Sequence, residues 1–368
     1  MIIPYVNLDK QYLKERSILL KKIDNCLKNA NYVTNNYEVE KFERNIAKLC
    51  NSKYCVSLNS GTDALTFALY LLDVKKGDEV ITPANSFIAS TAVIVHLGAI
   101  PVFVDVKDDQ NINEELIEQA ITKKTKAIMP VHLTGRMCEM KKIMKISKKF
   151  KIPVIEDCAQ SILSMYRGKY SGTFGNIGCF SAHPLKNLNA AGDSGFLITN
   201  NFRIFKKIKD LRNHGMTNRN KVNNFGYVSR MDNLQATILN HRLKDLKNII
   251  KKRRRNFEIY KKSLDRNHVF FPDEKKYQYN TYHTFVVQVK KRDKLRKFLL
   301  SKGIQTSIHY PIPIHNQPAF KKIYKKRIFL RNTEKQANQI LTLPINQFLK
   351  PKEIKYIAHL TNNFYGKK

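Results

Sequence analysis

Residues 154–195 read VIEDCAQSILSMYRGKYSGTFGNIGCFSAHPLKNLNAAGDSG, and two of them, Asp157 and Lys186, are the pair in this chain best placed to do chemistry. Ile152, Val154 and Ile155 read as a strand buried on both faces. That run ends on Glu156 and Asp157, where such a strand would not place charge. Gly168, Gly172, Gly175 and Gly178 punctuate the segment that follows. Cys179-Phe180-Ser181 then reads as a second strand, and Lys186 lies in the turn beyond it. An acid at a strand end and a lysine in a nearby turn can meet in a cleft, which is the arrangement Schiff-base chemistry needs. Each residue alone has a plainer use. Asp after a strand is more often a helix cap, and in a chain with 66 Lys and Arg most lysines are solvated surface charges.

The elements that must position this pair alternate strand and helix. Residues 55–58 read as a strand, 59–62 as a turn of small residues and 63–72 as a helix. Such a turn presents free backbone N–H groups and the positive end of the helix dipole, which suits a phosphate. An ordinary capped helix has the same pattern. DEVITP, PVFVDV, KAIMPVHLTG and PVIEDC supply further strands, with helices expected at 114–121 and 139–150. Ahead of them, IIPYVNL is extended, and helices are expected near 9–28 and 38–50. The fold class is therefore α/β with a mostly parallel sheet, whose function sits at the carboxyl ends of the strands. From about residue 250 the elements shorten: YHTFVVQV as a strand, DKLRKFLLSKG as a helix, then the irregular IQTSIHYPIPIHNQPAF. This division predicts a large domain over 1–248 and a smaller C-terminal α/β domain over 249–368, a length that suits two domains sharing one cleft.

Composition narrows the partners. The formal net charge of +36 points first to nucleic acid or an anionic surface. Yet the lysines are spread along the chain, and Asn and Ile are also abundant, as in a compositionally biased proteome. The one dense basic run, KKRRR at 251–255, follows a helical pattern and is expected on a solvated helix face. No nucleic-acid signature accompanies it, and no nucleic-acid partner is expected. The six cysteines show no CxxC spacing and no metal-ligand interval with histidine, so no metal is expected and the compartment reads as a reducing cytoplasm. The apolar region at 88–104 is interrupted by His96, Gly98 and Pro101 and is too broken to cross a membrane.

VIEDCAQS, then GxxGCFSxHPxKNL, then GDSG resembles the DegT-type (StrS-like) nucleotide-sugar aminotransferases over nearly the whole chain. These are pyridoxal 5'-phosphate (PLP) enzymes of the aspartate-aminotransferase fold, PLP fold type I. The resemblance implies that Lys186 carries the cofactor and shuttles protons, while Asp157 faces the pyridine nitrogen and keeps it protonated. It further implies Gly61, Thr62 and Ser181 at the phosphate, Gln160 at the ring hydroxyl and Phe87 stacked on the ring. His183, Arg230, His309, Tyr310 and His315 become candidates for substrate contact. The implied reaction moves an amino group, with glutamate as donor, to a nucleotide-linked keto-sugar, with a lean toward carbon 3 as in a dTDP-3-keto-6-deoxyhexose. The implied assembly is a homodimer with each active site at the interface. Two departures stand out. Asn35-Asn36 replaces the family's glycine, and Val228 replaces an asparagine that reaches the neighbouring subunit's phosphate, leaving Asn223, Asn224 or Ser229 to substitute. An aminocyclitol-type aminotransferase, a PLP-dependent sugar dehydratase and a non-catalytic regulator are the alternatives. Dehydratases of this group carry histidine in place of the lysine, and Lys186 is present; His183 is not that replacement.

Overall fold

Short apolar runs closed by Gly, Pro or a polar turn become the strands of one large sheet. The computed structural model describes residues 2–29, 37–325 and 327–366, so the Asn35-Asn36 turn lies outside the described residues. The strands are β1 (Tyr54–Leu58), β2 (Glu79–Pro83), β3 (Ile100–Val104), β4 (Thr125–Ile128) and β5 (Ile155–Asp157). A small hairpin, β6 (Met165–Tyr166) with β7 (Lys169–Tyr170), precedes β8 (Ile177–Ser181) and β9 (Gly195–Thr199). Two hydrogen-bonded groups, β3-β2-β4 and β5-β8-β9-β1, join through parallel bridges from Ile128 to Val154 and from Val131 to Asp157. The spatial order is thus β3-β2-β4-β5-β8-β9-β1. Only β9 runs against its neighbours β8 and β1. All five residues of β9 are buried, as the unbroken run GFLIT requires.

Two glycines let β9 and the first long helix of the sheet approach closely. A Cβ on Gly195 would stand 2.2 Å from the carbonyl carbon of Ser60, and one on Gly61 would stand 2.8 Å from the Ser181 Cβ. The helix Gly61–Leu71 therefore starts directly against the ends of β8 and β9. Glu43 supports β1 from below: its Oε1 accepts from the Ser57 N–H and hydroxyl and from Arg212 Nη1, at 2.9, 2.8 and 2.5 Å.

Two expected helices differ. Residues 114–121 form two separate 3-10 turns, Glu114–Leu116 and Glu118–Ala120. Glu114 is drawn inward to Lys107 at 2.6 Å and Lys142 at 3.2 Å, and Ile117 is fully buried, so tertiary contacts override helix propensity. The basic run at 251–255 lies on the helix Leu246–Ser263 with Lys251 and Arg255 exposed as expected, but one member turns inward. Arg253 is only 7% exposed, because the helix is the backbone of the C-terminal core and its inward face must be buried.

Beyond a small hairpin, β10 (Met216–Asn218) with β11 (Lys221–Val222), the C-terminal part holds β12 (Val269–Phe270), β13 (Gln278–Tyr279), β14 (Phe285–Val289) and β15 (Ile340–Leu343). β14 is the centre of an antiparallel β12-β14-β15 sheet. Helices Leu246–Ser263, Arg292–Ser301 and Pro351–Gly366 accompany it, with Phe257 stacked on Tyr282 at 4.2 Å. Ile3 joins this core: it is fully buried, and its N–H donates to Gly303 O at 2.8 Å. The N-terminal segment is thus strapped across the C-terminal unit, carrying Tyr5 toward the cleft. Among the described residues no helix is long and apolar enough to cross a membrane, and all six cysteines are buried, with no disulfide.

Gly195→Ala should destabilise the fold by ~1–3 kcal/mol or more, since the new methyl meets backbone rather than a movable side chain. Denaturant unfolding tests this, and wild-type stability in the variant would show that β9 and the Ser60 turn can separate freely.

Candidate active site

The carboxyl ends of β1, β5 and β8, with the turns after them, line one cavity of about 480 Å3, within the range typical of small-molecule sites. At the end of β1, Ser60 caps the helix Gly61–Leu71: its side chain accepts from the Asp63 N–H at 3.0 Å. That leaves other first-turn N–H groups of the helix facing outward with the positive dipole end. Ser60, Gly61, Thr62 and Ser181 all line the cavity. The cradle is complete only because residues 61 and 195 have no side chain.

The pleat of β5 separates the two acids. Glu156 is fully buried on one side and accepts from Gly172, Phe174 and Gly175 N–H groups at 2.9, 2.7 and 2.7 Å. His132 Nε2 lies 3.0 Å from the same carboxylate, and its Nδ1 accepts from the Cys138 N–H at 3.2 Å. With Nδ1 an acceptor, Nε2 carries the proton and donates to Glu156. Cys158 stands close to both, making a three-residue group of ligand types, all buried. The carboxylate and the imidazole are already engaged by protein donors, so the group reads as a structural network tying the glycine segment to β5.

Asp157 faces the cavity from the other side. It is 5% exposed; Oδ2 accepts from the Ser90 hydroxyl at 2.9 Å and Oδ1 from the Ala159 N–H at 3.1 Å. Burial raises its pKa, while those two donors and the Lys186 charge pull the other way. Its protein partners at hydrogen-bond distance are thus neutral.

Lys186 sits in the tight connection between β8 and β9. Its own N–H donates to His183 O at 2.8 Å, and Asn189 and Arg242 pin the returning chain through Pro184 O and through Asn189 O and Ala190 O. Burial holds the Lys186 ammonium down to about 8, opposed by the Asp157 carboxylate. Because β5 and β8 are adjacent and parallel, with Asp157 in register with Cys179, acid and lysine reach the same cavity.

Gln160 spans the cavity wall, accepting from the Thr134 N–H at 2.8 Å and donating to the Tyr310 hydroxyl at 3.3 Å. Phe87, a residue 57% exposed, lines the cavity with its ring 6.1 Å from that of Tyr310. His183, His309 and Tyr310 are also at the cavity. His309 Nδ1 is 2.9 Å from Thr342 Oγ1, and burial, with the Lys186 charge, lowers its pKa to about 4.

Two expected contact residues lie elsewhere in this chain's own structure. Arg230 lies outside the cavity lining because its guanidinium is drawn to Asn213 Oδ1 at 3.1 Å. His315 is buried against Glu334 Oε1 at 3.0 Å and packs near Phe103. Ser229 is already committed within its own chain, donating to Asp63 Oδ2 at 2.6 Å and accepting from the Asn59 N–H. It is therefore not the free donor that could replace an asparagine at 228. Ser90, His283 and Arg253 belong to the site and went unread in the sequence. Ser90 alone had a signal, its place one helical turn beyond Ser86 in NSFIAS.

The residues fit PLP. A phosphate cradle, a half-buried amine of lowered pKa and a buried carboxylate with neutral partners are the donor set that such a cofactor demands. The family model described as DegT/DnrJ/EryC1/StrS aminotransferase matches residues 14–361. The chain belongs to that family. It is 37% identical over 358 residues to the UDP-N-acetyl-3-dehydro-alpha-D-glucosamine 3-aminotransferase of Acidithiobacillus ferrooxidans, covering 97% of this chain and 96% of that protein. It is 36% identical over 369 residues to a protein of Geobacillus stearothermophilus named pleiotropic regulatory protein, covering 99% of each. The solved structure of S. venezuelae DesV in complex with a ketimine intermediate superposes with a TM-score of 0.96 at 31% identity, covering 100% of this chain and 99% of that one. The architecture is thus that of a PLP fold type I aminotransferase.

In the cofactor-free protein, Lys186 should react with an acylating reagent with a midpoint near pH 8. Its amine is protonated and inert below that pH and free above it, whereas exposed lysines titrate above about 10. Peptide mapping across a pH series checks this, and a midpoint shared with the surface lysines would contradict it. Asp157→Asn should fold normally yet lose about a thousandfold or more in turnover, several kcal/mol at the reacting ring. Activity within tenfold of wild type would remove Asp157 from that role.

Proposed function

We propose that this protein transfers an amino group, with glutamate as donor, to a nucleotide-linked keto-sugar, using PLP held by Lys186, Asp157, Gln160, Ser181, Gly61, Thr62 and Phe87. The observation that carries the reading is the meeting of Asp157, Lys186 and the Ser60–Thr62 cradle in one cavity. When bound, PLP supplies an electron sink for the pair left as a substrate C–H bond breaks. The protein's own contribution is positional. The helix N-terminus and Ser181 hold a dianion, and Asp157 holds a proton on the nitrogen facing it. Gln160 orients a ring hydroxyl, and Phe87 covers a ring face. The amine of Lys186, neutral above about pH 8, takes a proton from the substrate carbon and returns it on the far side of the reaction. A reducing cytoplasm is the compartment that suits six buried cysteines held without a disulfide.

The reading extends to a homodimer. Phe225 is 97% exposed, and Val222, Tyr227 and Val228 are each about half exposed or more, in one loop flanking the β10–β11 hairpin. A fully exposed phenylalanine beside three more apolar side chains favours coverage by a partner. Asn223 and Asn224, exposed in the same loop, are the donors available to a neighbouring subunit's phosphate in place of residue 228. A non-catalytic regulator on the same fold would not need a reacting amine; the intact Lys186, Asp157, Gln160 and Ser181 favour catalysis.

Purified protein should be yellow, and glutamate alone should bleach the visible band. A panel of nucleotide keto-sugars should then restore it for the true substrate. Bleaching with glutamate but restoration by none of the sugars would reject the acceptor class. Sedimentation should give a dimer, and Phe225→Glu with Val228→Glu should shift it to monomer with loss of activity. A fully active monomer would reject the shared site.

A further inference from the structure

The basic run at 251–255 contains one cation that the solvent does not hold. Arg254 pairs with Glu274 at 2.7 Å and lies over the Tyr279 ring. Arg255 donates to Asn256 Oδ1 at 3.0 Å and to Leu349 O at 3.1 Å. Arg253, by contrast, is 7% exposed and lines the same cavity as Lys186. Its protein partners are all neutral. Nη1 donates to Tyr282 O at 3.2 Å and His283 O at 3.0 Å, and Nη2 donates to Gln347 Oε1 at 3.1 Å. Of the five guanidinium N–H groups, the one on Nε and one on Nη2 have no protein acceptor among the described residues. No acid moderates the effect of burial, which holds Arg253 down to about 10; only Tyr5 opposes it.

A buried guanidinium with neutral partners, two uncommitted donors and a cavity in front of it is built to receive an anion. Its position selects which one. The phosphate cradle is elsewhere, at Ser60–Thr62 and Ser181. His283 lies within electrostatic range of both Lys186 and Arg253, and their charges with burial keep it neutral. Arg253 and Lys186 thus line one cavity, with His283 within reach of both charges. An amino-acid donor carries its carboxylate on the carbon that bears the reacting nitrogen. A nucleotide-sugar carries its diphosphate on carbon 1, at least two ring bonds from the reacting carbon. Nε and Nη2 share one edge of the guanidinium, the edge that matches the two oxygens of a carboxylate.

We propose that Arg253 binds the α-carboxylate of the amino-acid donor through Nε and Nη2, while Nη1 remains tied to the carbonyls of residues 282 and 283. The proposal rests on the aminotransferase reading above. It makes the buried helix Leu246–Ser263 part of donor recognition, and it makes the site selective for α-amino acids over simple amines.

Arg253→Lys and Arg253→Met test it in the cofactor-loaded protein. Three quantities are read: the apparent dissociation constant for glutamate in the donor half-reaction, the same quantity for the nucleotide keto-sugar in the return half-reaction, and calorimetric binding of glutarate, which cannot react. For Arg253→Met, glutamate and glutarate affinity should fall roughly ten- to a hundredfold, the loss expected for a charge-assisted pair. Sugar affinity should stay within about threefold. Arg253→Lys, which keeps the charge, should keep the fold and fall between. Unchanged glutamate affinity in both variants, or a loss confined to the sugar, would overturn the assignment. If wild-type protein restores its band with no keto-sugar while glutarate binding still depends on Arg253, the acceptor reading fails and the carboxylate site stands.

Discussion

Asp157 is a buried carboxylate whose hydrogen-bond partners in the protein are neutral, and the large sheet is arranged to keep it that way. Ser90 and Ala159 supply one hydrogen bond each, enough to orient the group and too little to neutralise it. A carboxylate so placed is destabilised by desolvation until a positive charge arrives in the cavity. A ring nitrogen that becomes protonated beside it answers that demand. The same burial lowers the Lys186 ammonium toward neutrality, so one cavity disfavours charge on both groups until a partner fills it.

Holding two groups in that relation is the work of residues that never touch the cavity. Glu156, one residue before Asp157, points to the opposite side of β5 and gathers three backbone N–H groups of the glycine segment and His132. Those bonds fix the loop between β5 and β8, and so the height at which Ser181 and Lys186 emerge. Gly178 and Gly172 permit it, since a Cβ on Gly178 would meet the Gly172 Cα at 2.3 Å. On the far side of the lysine turn, Gln11 exchanges hydrogen bonds with Asn189, and Arg242 pairs with Glu15 while holding the carbonyls of Asn189 and Ala190. The first helix thereby braces the turn that carries Lys186.

Much of this was legible in the sequence for a simple reason. Strand-end acids, a small-residue turn before a helix and a lysine beyond a glycine-rich segment are local patterns that survive in one dimension, and the family resemblance of the motifs that hold them supplied their roles. Arg253 and His283 were not legible, because nothing near them in sequence signals a cavity. Arg253 was hidden among four other cations, and only the packing of its helix against the C-terminal core turns it inward. Arg230 and His315 failed for the converse reason. Each has a polar partner, Asn213 and Glu334, that no spacing rule foretells and that draws it away from this chain's cavity. The broken helix at 114–121 has the same origin, in Glu114 reaching lysines distant in the chain.

The central claim is that the buried charge of Asp157 keeps the cofactor ring protonated. Protein loaded with PLP labelled with nitrogen-15 in the ring answers it by magnetic resonance. A ring-nitrogen signal of the protonated form across neutral pH, reverting to unprotonated pyridine in Asp157→Asn, is the result this account predicts. An unprotonated ring in the wild-type protein, or a protonated one that persists in Asp157→Asn, would contradict it.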